Sequence, residues 1–330
     1  MKCTNKWIAA AMICIFSAGM LTGCSGEKTQ IKAAYDVYET SAEYGLTNES
    51  VSNMLEPFSK NICVIGFDNS DPSKVHAAVA EGAGLFNTVK RTVPYAQNIY
   101  EKLYPASTTK ILTAYIALKY GDLDQRVTVS EELLKGLDAS SSVCGLKAGD
   151  TLTLEQLLYG LMLCSGNDAA VTIAETISGS IDDFADLMNK EAQALGATHS
   201  HFVNPHGLPD EDHYTTVYDL YLIFNAAISD ERFTSIINSA SYQATYTDAS
   251  GNTVTQTWKN TNKYLNGAVK TPDGITVIGG KTGTTRDAGY CLVLLSENNA
   301  KEPVISIVLK ADGRSDLYLL MSDMLSNFSN

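Results

Sequence analysis

The chain has 330 residues, enough for one large domain or two modest ones, and 45% of them are apolar, which supports a sizeable core. Its formal net charge of −13 argues against nucleic acid as a partner and against polybasic attachment to a membrane surface.

The first residues set the expected compartment. Lys2 and Lys6 make a short basic start, and residues 7–21 form an almost uninterrupted apolar run. That run is too short to span a bilayer comfortably and is followed at once by small residues, the pattern of a signal peptide. Leu21-Thr22-Gly23-Cys24 resembles the bacterial lipobox, an aliphatic residue and two small ones before a cysteine. The resemblance implies that residues 1–23 are a lipoprotein signal peptide and that the Cys24 sulfur receives a diacylglycerol. Removing those residues takes away two lysines and no acid, leaving 22 basic against 37 acidic residues and a charge of −15. The expected location is extracytoplasmic, lipid-anchored to the outer face of the cytoplasmic membrane, since more than one acyl chain holds far better than a single chain. Residues 24–57 are polar and read as a spacer.

Order is expected to begin at 62–67, a short apolar strand with 83–89 as its partner, although residues 68–82 are too many for a tight hairpin. The middle of the chain is helical. Ile111, Leu112, Tyr115, Ile116 and Leu118 recur at helix spacing and Gly121 supplies a stop. Thr153 and Gln156 have capping-box spacing ahead of Leu157, Leu158, Leu161 and Met162. Further helices are predicted at 168–177, 181–195 and 216–227. Strands follow at 242–247 and 253–259, around the turn Asp-Ala-Ser-Gly-Asn, then at 276–285, 290–296 and 304–309, with a last helix over 315–328. Strands at both ends around a helical middle predict an α+β domain over 58–330. One antiparallel sheet would be flanked by helices, with an all-helical insertion at about 107–240.

Cys63, Cys144, Cys164 and Cys291 match no zinc spacing, and Cys63 and Cys291 lie in apolar runs that read as buried free thiols. An export compartment permits disulfides, but sequence does not pair them. His199, His201, His206 and His213 crowd one segment without a helical H-E-x-x-H, so no metal is expected, and no cofactor.

Three short motifs carry the chemistry: Ser107-Thr-Thr-Lys110, Ser165-Gly-Asn167 and Lys281-Thr-Gly283. Each is weak alone, since Ser25-Gly-Glu-Lys28 and Ser250-Gly-Asn252 repeat two of the patterns in a spacer and a turn. Ser107 instead opens an apolar helix, and three-residue spacing puts Lys110 one turn above it on the same face. A serine hydroxyl needs a neighbour to take its proton. Lys110 can do so only as a neutral amine, which requires its pKa to fall from about 10.4 by roughly 3 units. Burial and a nearby positive Lys281 both push that way. Ser165 would relay protons between Lys110 and the leaving amine, and Asn167 would bind substrate backbone. Lys281, with the hydroxyls of Thr282 and Thr284, would dock a carboxylate, and Gly283 would let substrate approach the strand. The backbone N–H groups of Ser107 and Thr284 are the expected oxyanion hole.

The set resembles the penicillin-recognising serine enzymes. More narrowly it resembles the low-molecular-mass D-Ala-D-Ala carboxypeptidases of the S11 peptidase family. The stretches that carry this are Pro105-Ala-Ser-Thr-Thr-Lys110, Cys164-Ser-Gly-Asn-Asp-Ala-Ala170, Phe202-Val-Asn-Pro-His-Gly-Leu-Pro209 and Gly279-Gly-Lys-Thr-Gly-Thr284. The resemblance implies a β-lactamase/DD-peptidase-like fold. It also implies an acyl-serine route that removes the terminal D-alanine from peptidoglycan stem peptides, and covalent inhibition by β-lactam antibiotics. Many relatives carry a further C-terminal β-rich domain and an amphipathic anchoring helix, whereas this chain ends with the last predicted helix. In relatives an arginine near the end of the last strand assists carboxylate binding; Arg314 is the candidate, at a spacing that fits poorly. The alternatives are a β-lactamase or a non-turnover penicillin-binding sensor. A class A β-lactamase needs a glutamate in an E-x-x-x-N segment, and residues 194–212 offer Glu211, with Thr215 where the asparagine would stand.

Overall fold

The computed structural model describes residues 61–71, 73–75, 79–137 and 141–329, so Cys24 and the expected signal peptide and spacer lie outside the described residues. In chain order these residues form β1 (Ala80–Asn87), β2 (Thr92–Gln97), a 3-10 turn (Ala106–Thr109), α1 (Lys110–Tyr120), β3 (Arg126–Thr128), α2 (Glu131–Lys135) and β4 (Thr151–Thr153). There follow α3 (Leu154–Leu163), α4 (Asn167–Ser178), α5 (Ile181–Ala194), α6 (Val217–Ala227) and α7 (Glu231–Asn238). The chain closes with β5 (Ser241–Thr247), β6 (Thr253–Lys259), β7 (Thr276–Thr285), β8 (Gly289–Glu297), β9 (Pro303–Ala311) and α8 (Arg314–Phe328).

The main sheet is antiparallel, in the order β2-β1-β9-β8-β7. Its inner strands are apolar on both faces because both faces are covered. Cys291, Val293 and Leu295 of β8, with Ile305, Ile307 and Leu309 of β9, point into the core shared with the helical middle. Leu292, Leu294 and Val308 alternate with them and pack on Leu317, Leu320, Met321 and Met324 of α8. The fold is therefore α+β, with the helices α1 to α7 lying between the first and last strands of one sheet.

Two expectations need correction. The segment 62–67 is not a strand, although Cys63 is fully buried. Its backbone groups go to phenols instead: Cys63 N–H donates to Tyr221 Oη at 2.8 Å, and Tyr218 Oη donates to the Cys63 carbonyl at 2.8 Å. The partner of β1 is β2, reached in a four-residue turn. Pro94 lies within β2, which is possible because β2 is an edge strand.

The second correction concerns the hairpin β5–β6. It joins β3 and β4 in a separate four-stranded sheet rather than extending the main one. It is held over α3 by aromatic contacts, with Tyr242 stacked on Tyr159 at 3.8 Å between ring centroids and 7° between planes.

Helix α1 is buried along most of its length and runs through the core, as expected of a helix that is apolar nearly all round. It ends at Gly121, where a Cβ would meet Leu154 Cδ2 at 2.3 Å and the Ala117 carbonyl at 2.7 Å. The capping box on α3 is complete: Gln156 N–H donates to Thr153 Oγ1 at 3.2 Å and Thr153 N–H to Gln156 Oε1 at 2.9 Å.

Candidate active site

Ser107 sits in the 3-10 turn just ahead of α1, half-buried on the wall of a cleft of about 410 Å³. The turn is strained. Ala106 has φ 48°, in the left-handed region that non-glycine residues rarely enter. A chain of hydrogen bonds holds it there. Val203 N–H donates to His213 Nδ1 at 3.2 Å, which leaves Nε2 as the protonated nitrogen facing Thr109 Oγ1 at 2.9 Å. Thr109 Oγ1 in turn donates to the Ala106 carbonyl at 2.9 Å. From the same side Gly207, at φ 86°, presses so close that a Cβ would lie 1.8 Å from the Ala106 oxygen.

Lys110 is fully buried, and its Nζ has three neighbours: Ser107 Oγ at 2.9 Å, Asn167 Oδ1 at 2.7 Å and the His206 carbonyl at 2.8 Å. The two carbonyl-type oxygens can only accept. The direction of the contact with Ser107 is therefore set by the proton count on Nζ: an ammonium donates to Ser107, and a neutral amine accepts the hydroxyl proton. Burial first, and then the charge of Lys281, push the Lys110 pKa well down, which favours the amine. His206 takes no such part. Its ring accepts from Leu208 N–H at 3.2 Å, and burial lowers its pKa to about 3.

Ser165 stands between α3 and α4 with φ 63°, a second non-glycine residue in the left-handed region. Lys281 Nζ donates to its Oγ at 3.0 Å and to the Thr282 carbonyl at 2.8 Å. Lys281 is buried as well, and burial brings its pKa down to about 7. Two buried lysines thus share one site, one against each motif serine.

The structure brings the motif residues together, with some of them in other positions than sequence suggests. Neither Asn167 nor Lys281 lines the cleft. The side-chain oxygen of Asn167 is taken up by Lys110, and its backbone N–H donates to the Ser142 carbonyl at 2.8 Å. The space over Gly283 belongs to the nucleophile turn rather than to a ligand, because a Cβ there would meet Ser107 N at 3.0 Å and Pro105 O at 3.1 Å. Glycine at 283 lets the edge strand β7 close on that turn. Thr282 and Thr284 do line the cleft; Thr282 Oγ1 lies 2.6 Å from Thr261 Oγ1. Ser107 and Thr284 both line the cleft.

Of three further contributors, Arg314 was a sequence candidate at a poorly fitting spacing, while Lys263 and Asp168 escaped sequence reasoning. Arg314, at the start of α8, lines the cleft with its guanidinium 5.7 Å from the Tyr290 ring centroid, and Lys263 lines it too. Among the described residues that line the cleft these are the cations, and no carboxylate is with them. The third is Asp168, which is buried and accepts N–H bonds from Cys144, Gly145 and Leu146 at 2.8, 3.0 and 3.0 Å. It ties the loop carrying Ser142 to the first turn of α4. An acid placed directly after Ser165-Gly-Asn was the available signal.

Comparison with known proteins places the chain in a family. Residues 72–313 match the sequence profile described as D-alanyl-D-alanine carboxypeptidase. The chain is 33% identical over 251 residues to the D-alanyl-D-alanine carboxypeptidase DacF of Bacillus subtilis, covering 74% of this chain but 61% of that protein. It is 34% identical over 240 residues to a D-alanyl-D-alanine carboxypeptidase of Streptomyces sp. strain K15, covering 70% of this chain and 80% of the relative. The crystal structure of the Streptomyces K15 DD-transpeptidase superposes with a TM-score of 0.69 at 31% identity, over 76% of this chain and 98% of that one.

Proposed function

Because the chain belongs to the D-alanyl-D-alanine carboxypeptidase family, we propose that it removes the terminal D-alanine from peptidoglycan stem peptides through an acyl-Ser107 intermediate. The observation that carries this reading is the buried Lys110 Nζ, 2.9 Å from Ser107 Oγ in surroundings that favour its neutral form. Ser107 Oγ attacks the carbonyl carbon of the penultimate D-alanine as its proton passes to Lys110. Negative charge then gathers on the carbonyl oxygen, where the N–H groups of Ser107 and Thr284 are the donors. Ser165 gives the leaving amine a proton and regains one from Lys281, whose pKa of about 7 suits a donor near neutrality. The terminal carboxylate docks against the hydroxyls of Thr282 and Thr284, with Arg314 and Lys263 supplying positive charge in the cleft. Water then attacks the ester carbonyl, its proton passing through Ser165 to the now neutral Lys281, and Lys110 returns its proton to Ser107 Oγ as the ester bond breaks.

A β-lactam presents the same electrophile, an amide carbonyl beside a carboxylate, and acylates the same serine. Glu211 is exposed and does not line the cleft, which favours slow release of such an adduct over β-lactamase turnover. The lipobox-like Leu21-Thr-Gly-Cys24 supports anchoring of the enzyme by an N-terminal lipid at the outer face of the cytoplasmic membrane.

The assignment of the nucleophile is tested by incubating the protein with benzylpenicillin and mapping the adduct by peptide mass spectrometry. The added mass is expected on the peptide that contains Ser107, absent in Ser107→Ala, and formed at least a hundredfold more slowly in Lys110→Ala. An adduct elsewhere, or full labelling of Ser107→Ala, would overturn it.

A further inference from the structure

Two thiols outside the catalytic chemistry meet beneath the second motif. Cys164 directly precedes Ser165, and its Sγ lies 3.1 Å from Cys144 Sγ and 3.1 Å from the Gly160 carbonyl oxygen. Both are free thiols, Cys144 buried and Cys164 half-buried. Space has been made for the inner sulfur. A Cβ at Gly166 would stand 2.0 Å from Cys144 Sγ, and one at Gly160 would stand 2.7 Å away, so any larger residue at either position would displace it. The loop that carries Cys144 is fixed independently by Asp168, through the N–H groups of residues 144 to 146, and by Trp258 Nε1–H, which donates to the Cys144 carbonyl at 3.2 Å. The pair therefore joins two segments that both reach the cleft, at Ser142 and at Ser165.

We propose that Cys144 and Cys164 form a dithiol–disulfide site, closed by exchange with a low-molecular-mass disulfide, and that closure slows acylation of Ser107. The half-buried Cys164 loses its proton to solvent, and its thiolate attacks the external disulfide R–S–S–R. One R–S⁻ leaves and a Cys164–S–S–R mixed disulfide forms. Cys144 then gives up its proton and attacks the Cys164 sulfur, breaking that bond and releasing the second R–S⁻. The balance is two protein thiols and R–S–S–R consumed, one internal disulfide and two R–SH formed. Burial holds the Cys144 thiol well above its ordinary pKa, so the second step is the slower one and quickens as pH rises.

Closing the sulfurs from 3.1 Å to a bond of about 2.05 Å draws Cys144 Sγ and Cys164 Sγ together by about 1 Å, a shift divided between rotation of the side chains and movement of the two segments. Ser165, already at φ 63° and held by one bond from Lys281, adjoins the segment that moves. Displacements of that size at a reacting group reduce rates by up to about 100-fold.

The full chain is treated with oxidised glutathione or with dithiothreitol, alkylated, digested without reduction and analysed by mass spectrometry. A linked peptide pair holding Cys144 and Cys164 is expected after oxidation and absent after reduction. This readout does not depend on the proposed activity. Penicillin acylation is then timed on both samples; the oxidised form is expected to react at least tenfold more slowly and to recover with dithiothreitol. Cys144→Ala should lose the response, while a Cys63→Ala/Cys291→Ala variant should keep it. Alkylation of both Cys144 and Cys164 after oxidation would overturn the site, and an unchanged acylation rate in the linked form would overturn its control of the enzyme.

Discussion

A lysine without access to water is held in its charged form only by its neighbours, and here the charge of buried Lys281 bears on buried Lys110. For Lys281 the consequence is measurable. Its folded pKa of about 7 lies below the ordinary 10.5, so between those values the unfolded chain binds a proton that the folded chain does not. Stability therefore rises with pH above 7, and the depressed Lys110 contributes with the same sign. The buried thiols oppose this at higher pH. Burial holds Cys144 well up and Cys291 at about 12, so that above about pH 9 the unfolded chain sheds protons the folded chain keeps. Urea unfolding between pH 7 and 8.5 isolates the lysines: the unfolding free energy should climb with pH, and the climb should shrink in Lys281→Gln. A wild type whose stability is flat or falling there would contradict the depressed pKa.

At this scale the motifs were legible, because serine, lysine and asparagine at those spacings have few other joint uses. What was not legible is direction. Sequence cannot say that Asn167 spends its oxygen on Lys110, or that the face of Gly283 belongs to the Ser107 turn. Cys144 and Cys164 are 20 positions apart, and only the packing of the loop against α3 and α4 brings their sulfurs together.

The elements that position the site follow local rules where they are long and tertiary rules where they are short. Helices α1, α3, α4, α5 and α6 were readable from periodicity and stop signals, and α3 from its capping box as well. Thr153→Ala should lower stability by about 1 kcal/mol, read as a shift in the urea midpoint with penicillin labelling intact. No shift would mean that the cap is redundant with the bond that the Gln156 side chain makes to the Thr245 carbonyl. The short pieces β3, β4 and α2 carry too few residues for a period to show. Segment 62–67 failed for another reason: its apolar residues suit a strand, but the hydroxyls of Tyr218 and Tyr221 took the Cys63 backbone groups first.

The loop carrying His213 is a positioning element for the nucleophile. His213→Ala removes the donor to Thr109 and loosens the Ala106 turn. Acylation should slow by tenfold or more while Lys110 keeps its partners. Because His213 is neutral when folded, with a pKa lowered to about 4, the defect should be the same at pH 6 and pH 8. A defect confined to one of those pH values would point instead to a titrating role.

For the whole molecule, the net charge bears on the proposed anchoring. A chain with net charge −13 has little electrostatic attraction to an anionic membrane, so attachment would rest on the lipid at Cys24. In fractionated cells, Cys24→Ala should be released or remain as an uncleaved precursor. A processed form that stays with the membrane through a salt wash would rule the lipid out as the anchor. The α+β outline with its helical middle was legible from the order of the elements, whereas the second sheet was not, because β4 and β5 are 88 or more positions apart and touch at Thr151 and Thr247. Arg314 was a candidate whose spacing after the last strand fitted poorly, and its place at the start of α8 puts it on the cleft wall.

Carboxypeptidase and β-lactamase share the acyl-Ser107 step and differ in what clears it. The direct measurement is D-alanine release from a synthetic stem pentapeptide, taken alongside nitrocefin hydrolysis and the lifetime of the penicilloyl adduct on the same preparation. Sustained D-alanine release, with a penicilloyl adduct that outlasts many peptide turnovers, is the expected result. Rapid, continuing nitrocefin hydrolysis without D-alanine release would contradict it.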